Sequence, residues 1–279
     1  MTDTSALKLA ATLAILTWRS PKTLQQTLES LSPIAGFFSE RLVVCQESDP
    51  EEIAMANAFG YTAHALAENL GIQHGLKAAV ELSQQEQVLL LENDTALQTS
   101  LSLEQITQLL SDIHQNLRAN RFSCVRLRFI PGEMSKKAAT LWRISGNKVS
   151  RTWLGYLRPK MANSVYAELT YQVDPSQLDT SKVKQIQPFL YQTDSRYIKW
   201  MNAALFLNRS FFLNQIIPFA ESHPTSRLVN GLPELEHRIN SRGQRSWWIQ
   251  QRFAVGFSVP ALFGHHRIDR PVQDEKGYQ

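Results

Sequence analysis

Three observations predict an α/β fold, a mixed and mainly parallel sheet flanked by helices with a small antiparallel subsheet on one side. Short apolar runs alternate with segments of helical spacing through the first half of the chain, as strands crossed by helices require. The run Val88-Leu89-Leu90-Leu91 is apolar on both faces, which suits a central strand. In the second half, Ser145-Gly146-Asn147 between Trp142-Arg143-Ile144 and Val149-Ser150-Arg151 reads as a hairpin turn.

Each element has its own signal. Leu13-Ala14-Ile15-Leu16 reads as a buried strand. Ser20-Pro21 supplies an N-cap candidate and a proline at the first helical position, with Leu24, Leu28 and Leu31 at helical spacing behind them. A second strand is expected over 41–46, a short helix on Ile53, Ala56 and Phe59 that Gly60 ends, a third strand over 61–65 and a helix over 72–82. The fourth strand, 88–91, stops at Glu92-Asn93-Asp94. A helix over 103–117 carries Ile106, Leu109, Leu110 and Ile113 on one face, and a strand over 123–129 follows. Two or three antiparallel strands are expected over 141–171, then an aromatic-rich region over 191–219, a helix over 233–240, a strand over 253–259 and a loose polar end.

The 279 residues are 43% hydrophobic and 19% charged, which excludes a disordered chain and allows a sizeable core. Taking 25 acidic from 29 basic residues leaves +4, and the basic residues are scattered, so no nucleic-acid partner is expected. Cys45 and Cys124 lie inside apolar segments and make no disulfide framework, which points to a reducing compartment. The apolar stretch 9–18 is short, and 203–220 is interrupted by Asn208, Arg209, Asn214 and Pro218, so no transmembrane segment is expected. The expected location is the cytoplasm, with room for a peripheral position at the inner membrane face.

In an open parallel sheet, ligands bind beyond the carboxyl ends of the strands, so the polar residues that follow each strand are the candidates. These are Thr17-Trp18-Arg19-Ser20-Pro21, Gln46-Glu47-Ser48-Asp49 and Glu92-Asn93-Asp94-Thr95. Glu92 and Asp94, two residues apart, lie on the same side of the chain, where a cation such as Mg²⁺ or Mn²⁺ would relieve their repulsion. The same pair would also suit a solvated loop in which Asp94 or Thr95 caps a helix.

This ordered series resembles the GT-A glycosyltransferases, particularly the family-2-like bacterial enzymes that use nucleotide sugars. Thr17-Trp18-Arg19 is similar to that family's first turn, Asn69-Leu70-Gly71 to the loop before its metal motif, and residues 88–94 to the strand ending in Asp-x-Asp. Glu92 stands where the family has aspartate, and Gln46-Glu47-Ser48-Asp49 replaces its run of aspartates.

The resemblance implies one domain over 1–279, with a nucleotide-sugar half at about 8–118, an acceptor half at about 119–270 and a loose tail over 271–279. It implies a metal-dependent transfer of a sugar from a UDP- or GDP-type donor to a hydroxyl on a saccharide or lipid-linked acceptor, with inversion. Thr17, Trp18, Arg19, Glu47, Asn69, Glu92, Asn93 and Arg267 would hold the donor, and Asp94, Glu92 and His265 or His266 the Mn²⁺ or Mg²⁺. Glu234 or Glu236 would be the base, with Glu234 preferred because Pro233 at the first helical position places it in the first turn. Helix-end carboxylates and a surface His-His-Arg turn are the plain structural readings of the same segments. Trp200, flanked by Tyr197, Lys199 and Asn202, would be the acceptor platform or a core residue. A non-catalytic protein of the same fold that binds a nucleotide sugar or a partner is the alternative. A nucleotidyltransferase is disfavoured, because Trp18-Arg19-Ser20-Pro21 lacks the glycines of a phosphate loop.

Overall fold

The computed structural model describes residues 8–128, 166, 167, 170, 174–223, 228, 229, 231–240 and 245–268. The hairpin expected around Ser145-Gly146-Asn147 and the tail expected over 271–279 lie outside these residues. Tyr166 and Ala167, placed by the sequence in a strand, carry helical backbone, with Thr170 N donating to the Tyr166 carbonyl at 3.0 Å. Packing decides it: Tyr166 is fully buried, and its hydroxyl accepts from Asp179 N at 3.0 Å.

The N-terminal half builds β1 (Leu9–Thr17), α1 (Pro21–Ala35), β2 (Phe38–Cys45), α2 (Pro50–Ala58), β3 (Thr62–Ala65), α3 (Gly71–Leu82) and β4 (Gln87–Glu92) in the predicted order. After β4 come β5 (Thr95–Leu97), α4 (Leu103–Arg118), β6 (Cys124–Arg126), β7 (Lys184–Gln187), β8 (Leu190–Asp194) and β9 (Leu205–Asn208). A helical stretch α5 runs through Arg209–Phe211, a π turn over Phe212–Ile216, and Ile217–Ser222. The described chain then forms β10 (Leu228–Val229), β11 (Leu232–Pro233), α6 (Leu235–Asn240), α7 (Arg245–Gln251), β12 (Ala254–Ser258) and β13 (Phe263–His265).

The main sheet has the order β3-β2-β1-β4-β9-β6-β12-β8-β7. Strands β1 to β4, β6, β7 and β12 run one way, and β8 and β9 oppose them. This is the mixed, mainly parallel sheet that the sequence predicts. Small antiparallel pairs, β10 with β11 and β5 with β13, add to it.

Alternation along the strands divides the core into two layers. Ala14, Leu16, Leu42, Val44, Val88 and Leu90 face α3, α5 and α6 through Leu76, Val80, Phe212 and Leu235. Leu13, Ile15, Val43, Leu89 and Leu91 face α1 and α4 through Leu24, Leu28, Leu31, Ile106 and Leu110. Each buried Val, Leu, Ile or Phe among them contributes about 1.5–3 kcal/mol by leaving water, so the layers hold the strand ends in place. Among the described residues, no helix is long and apolar enough to cross a membrane.

Candidate functional site

The carboxyl ends of β1, β2 and β4 open together into a cleft. Thr17, Trp18, Asn69, Glu92, Asn93, Asp94 and Arg267 line it, so seven of the predicted donor and metal residues share one cleft, together with Gln46, Gly71 and Val229.

The turn after β1 is tied down from two sides. Ser20 sits at the N-cap position of α1 but makes no side-chain cap; its hydroxyl donates to the Trp18 carbonyl at 3.2 Å, and Pro21 opens the helix as predicted. The Ser20 N–H instead donates to the buried carboxylate of Glu52 at 2.9 Å, and the Thr17 hydroxyl donates to the same oxygen at 2.6 Å. Thr17 also accepts from Asn93 Nδ2 at 3.0 Å, while Asn93 N donates to the Leu16 carbonyl at 2.9 Å. Thr17 and Asn93 thus join β1 to β4. Gln46 accepts from Leu70 N at 2.8 Å and Asn69 from Gly71 N at 2.8 Å, which sets the mouth of α3 beside the cleft. Asp49 caps α2 by accepting from Glu51 and Glu52 N–H groups.

Asp94 forms the floor. It is 4% exposed; its Oδ2 lies 2.8 Å from His265 Nε2, and its Oδ1 is buried without a hydrogen-bond partner among the described residues. The pairing of β13 with β5 sets Thr95 opposite His265 and brings the late histidine to the acidic motif. His266 takes part through its backbone, its N–H donating to the Asp94 carbonyl at 2.8 Å, while its side chain is exposed. The carboxyl of Glu92 is pushed up to about 8 by burial first, then by the negative charges of Asp94, Glu236 and Glu234, with Arg128 opposing. A divalent cation would relieve that crowding. Asp94 and His265 offer a carboxylate and an imidazole, while among the described residues no three ligating side chains gather.

The helix expected from Pro233 begins at Leu235, because Leu232 and Pro233 pair with Val229 and Leu228 as a strand. This moves Glu234 out of the first turn. It caps α6 instead, taking Glu236 N at 2.8 Å and His237 N at 2.7 Å on its two oxygens, and Asn202 Nδ2 at 3.4 Å. Glu236 lies in the first turn, and its carboxyl is raised above the ordinary range by burial and by Glu234, with Arg126, Arg128 and an Asn202 backbone hydrogen bond opposing.

The structure corrects one acceptor expectation. Trp200 is 1% exposed, donates from Nε1 to Asn202 at 2.9 Å, and packs against Phe212 and Trp248 with centroids 6.2 and 5.5 Å away. It is core, and its polar flank Asn202 serves the indole and Glu234 rather than an acceptor. Glu52, Arg126 and Arg128 were not singled out in the sequence. The two arginines do carry a signal, because they end β6 and follow it, where the strand-end rule looks for ligands.

No protein-family model matches this chain, and no curated protein matches it in sequence. Among solved structures, S. aureus TarS 1-349 is similar with a TM-score of 0.47 and 11% identity, over 91% of this chain and 59% of that one. This chain thus spans less than two thirds of its length. Glucosyl-3-phosphoglycerate synthase from Mycobacterium tuberculosis, in complex with Mn²⁺, UDP and glucosyl-3-phosphoglycerate, is similar at 0.46 and 12% identity, over 96% and 74% of the two chains. The mannosyltransferase PcManGT from Pyrobaculum calidifontis, in complex with GDP-Man and Mn²⁺, is similar at 0.36 and 14% identity, over 45% and 37%. At these values the likeness is one of chain course alone.

Proposed function

We propose that the chain is a metal-dependent glycosyltransferase that moves a sugar from a nucleoside-diphosphate donor to a hydroxyl acceptor with inversion. The observation that carries this reading is the buried, half-partnered carboxylate of Asp94 facing His265 at the floor of a cleft built from the ends of β1, β2 and β4. Asp94 and His265 would hold Mn²⁺ or Mg²⁺, with diphosphate oxygens and water completing the shell. A divalent ion there would neutralise the charge that builds on the diphosphate as the glycosidic bond breaks.

The chain's own residues would do the rest. Arg267, at the rim of the cleft, would meet the diphosphate, Trp18 and Asn69 the nucleoside, and Glu92 the ribose or a metal-bound water. Glu236 is the better base, because Glu234 already receives N–H groups on both oxygens. A carboxylate raised by burial accepts a proton more readily, and Glu236 would take the acceptor's proton as its oxygen attacks the anomeric carbon and the nucleoside diphosphate leaves. Residues 8–118 would carry the donor and 119–270 the acceptor.

The test is transfer from UDP- and GDP-sugars with Mn²⁺ to a panel of sugar and lipid-linked acceptors, read as nucleoside-diphosphate release. Glu236→Gln should cut turnover by about 10²–10⁴-fold and leave donor affinity unchanged. Full activity in that variant would remove Glu236 as the base. A wild type that binds donors but turns none over would make the chain a nucleotide-sugar-binding protein.

A further inference from the structure

The turn after β1 and the turn after β2 are clamped together by three side chains. Trp18 Nε1 donates to Glu47 Oε2 at 2.9 Å, Arg19 Nε forms an ion pair with the same oxygen, and the Arg19 guanidinium lies 5.9 Å from the Trp18 ring centroid. Arg19 and Glu47 both hold left-handed backbone, φ 46° and 62°, which non-glycine residues adopt at a cost and which clusters at ligand clefts. Among the described residues, Trp18 is the one aromatic residue lining the cleft, and Glu47 is not part of the lining.

A carboxylate that read the edge of a nucleobase would need its acceptor oxygens turned into the cleft. Here Oε2 of Glu47 is turned to the indole and the guanidinium. Trp18, with its indole N–H held by Glu47, lines the cleft, and every nucleobase has a π-face on which an indole can stack. We infer that Glu47 is a positioning residue that holds the Trp18 indole as the stacking face for the nucleobase, so that the cleft takes purine and pyrimidine nucleotides alike. This rests on the nucleotide-sugar reading above and adds how the base is selected.

The experiment measures UDP and GDP binding with Mn²⁺ by calorimetry on wild type, Glu47→Ala, Glu47→Gln and Trp18→Ala, with the near-ultraviolet circular dichroism of each. Glu47→Ala should weaken both nucleotides by the same factor, on the order of tenfold, and alter the tryptophan signal. Glu47→Gln keeps an acceptor for the indole N–H and should bind both within about twofold of wild type. Trp18→Ala should weaken both equally and serves if Glu47→Ala does not fold. A loss confined to one base, or Glu47→Gln as weak as Glu47→Ala, would overturn this inference while leaving the donor site intact. Binding of neither nucleotide by wild type would overturn the functional reading and this inference with it.

Discussion

Glu52 is a fully buried carboxylate whose one oxygen collects a hydroxyl and a backbone N–H from the turn that opens the cleft. Removing it strands two buried donors, each of which costs about 1–3 kcal/mol when unsatisfied. Glu52→Ala should therefore lower unfolding free energy by about 2–4 kcal/mol in urea titration, whereas an exposed glutamate such as Glu51 replaced by alanine should change it by less than about 0.5 kcal/mol. Its sequence context, Asp49-Pro50-Glu51-Glu52, reads as a plain acidic first turn, and nothing local shows that one of the two carboxylates reaches across to β1. Asp94 was legible, because a strand apolar on both faces that ends in acids points to the sheet's ligand edge. The fate of Trp200 was not. Polar neighbours on each side suggested a surface, and only the tertiary packing of Phe212 and Trp248 shows that the indole is enclosed.

At the scale of elements, the five-element run from β1 to β3 follows from capping, helical spacing and apolar runs, all of which are local. Among the elements that escaped is β9, which enters antiparallel between β4 and β6 at Leu205–Asn208. Its partners lie far off in sequence, so pattern alone could not choose strand over helix in an apolar stretch. The start of α6 was displaced for a related reason: pairing of β11 with β10 claims Pro233, and the base candidate moves with it from Glu234 to Glu236. The mouth of α3 depends on Gly71, whose φ of 72° is left-handed and whose added Cβ would sit 2.7 Å from Leu232 Cβ. Gly71→Ala should cost about 1–3 kcal/mol and lower the melting temperature by several degrees, since both the backbone and β11 must give way. A melting temperature equal to wild type would show that β11 does not rest on this glycine.

For the molecule as a whole, the two packed layers fix three strand ends while the chain returns through β13 to complete the floor, so acid and imidazole come from positions 94 and 265. That long-range closure explains why the late His-His-Arg segment looks like an ordinary surface turn in sequence and becomes part of the cleft in the fold. It also concentrates the account on one carboxylate. The most direct measurement is calorimetric titration of UDP and GDP into wild type and Asp94→Asn, with Mn²⁺ and with metal removed by chelation. Asparagine keeps the shape and removes the charge, so metal should strengthen nucleotide binding to wild type tenfold or more and leave the variant's weak binding unchanged. Equal affinities for wild type and Asp94→Asn, with or without Mn²⁺, would contradict the account.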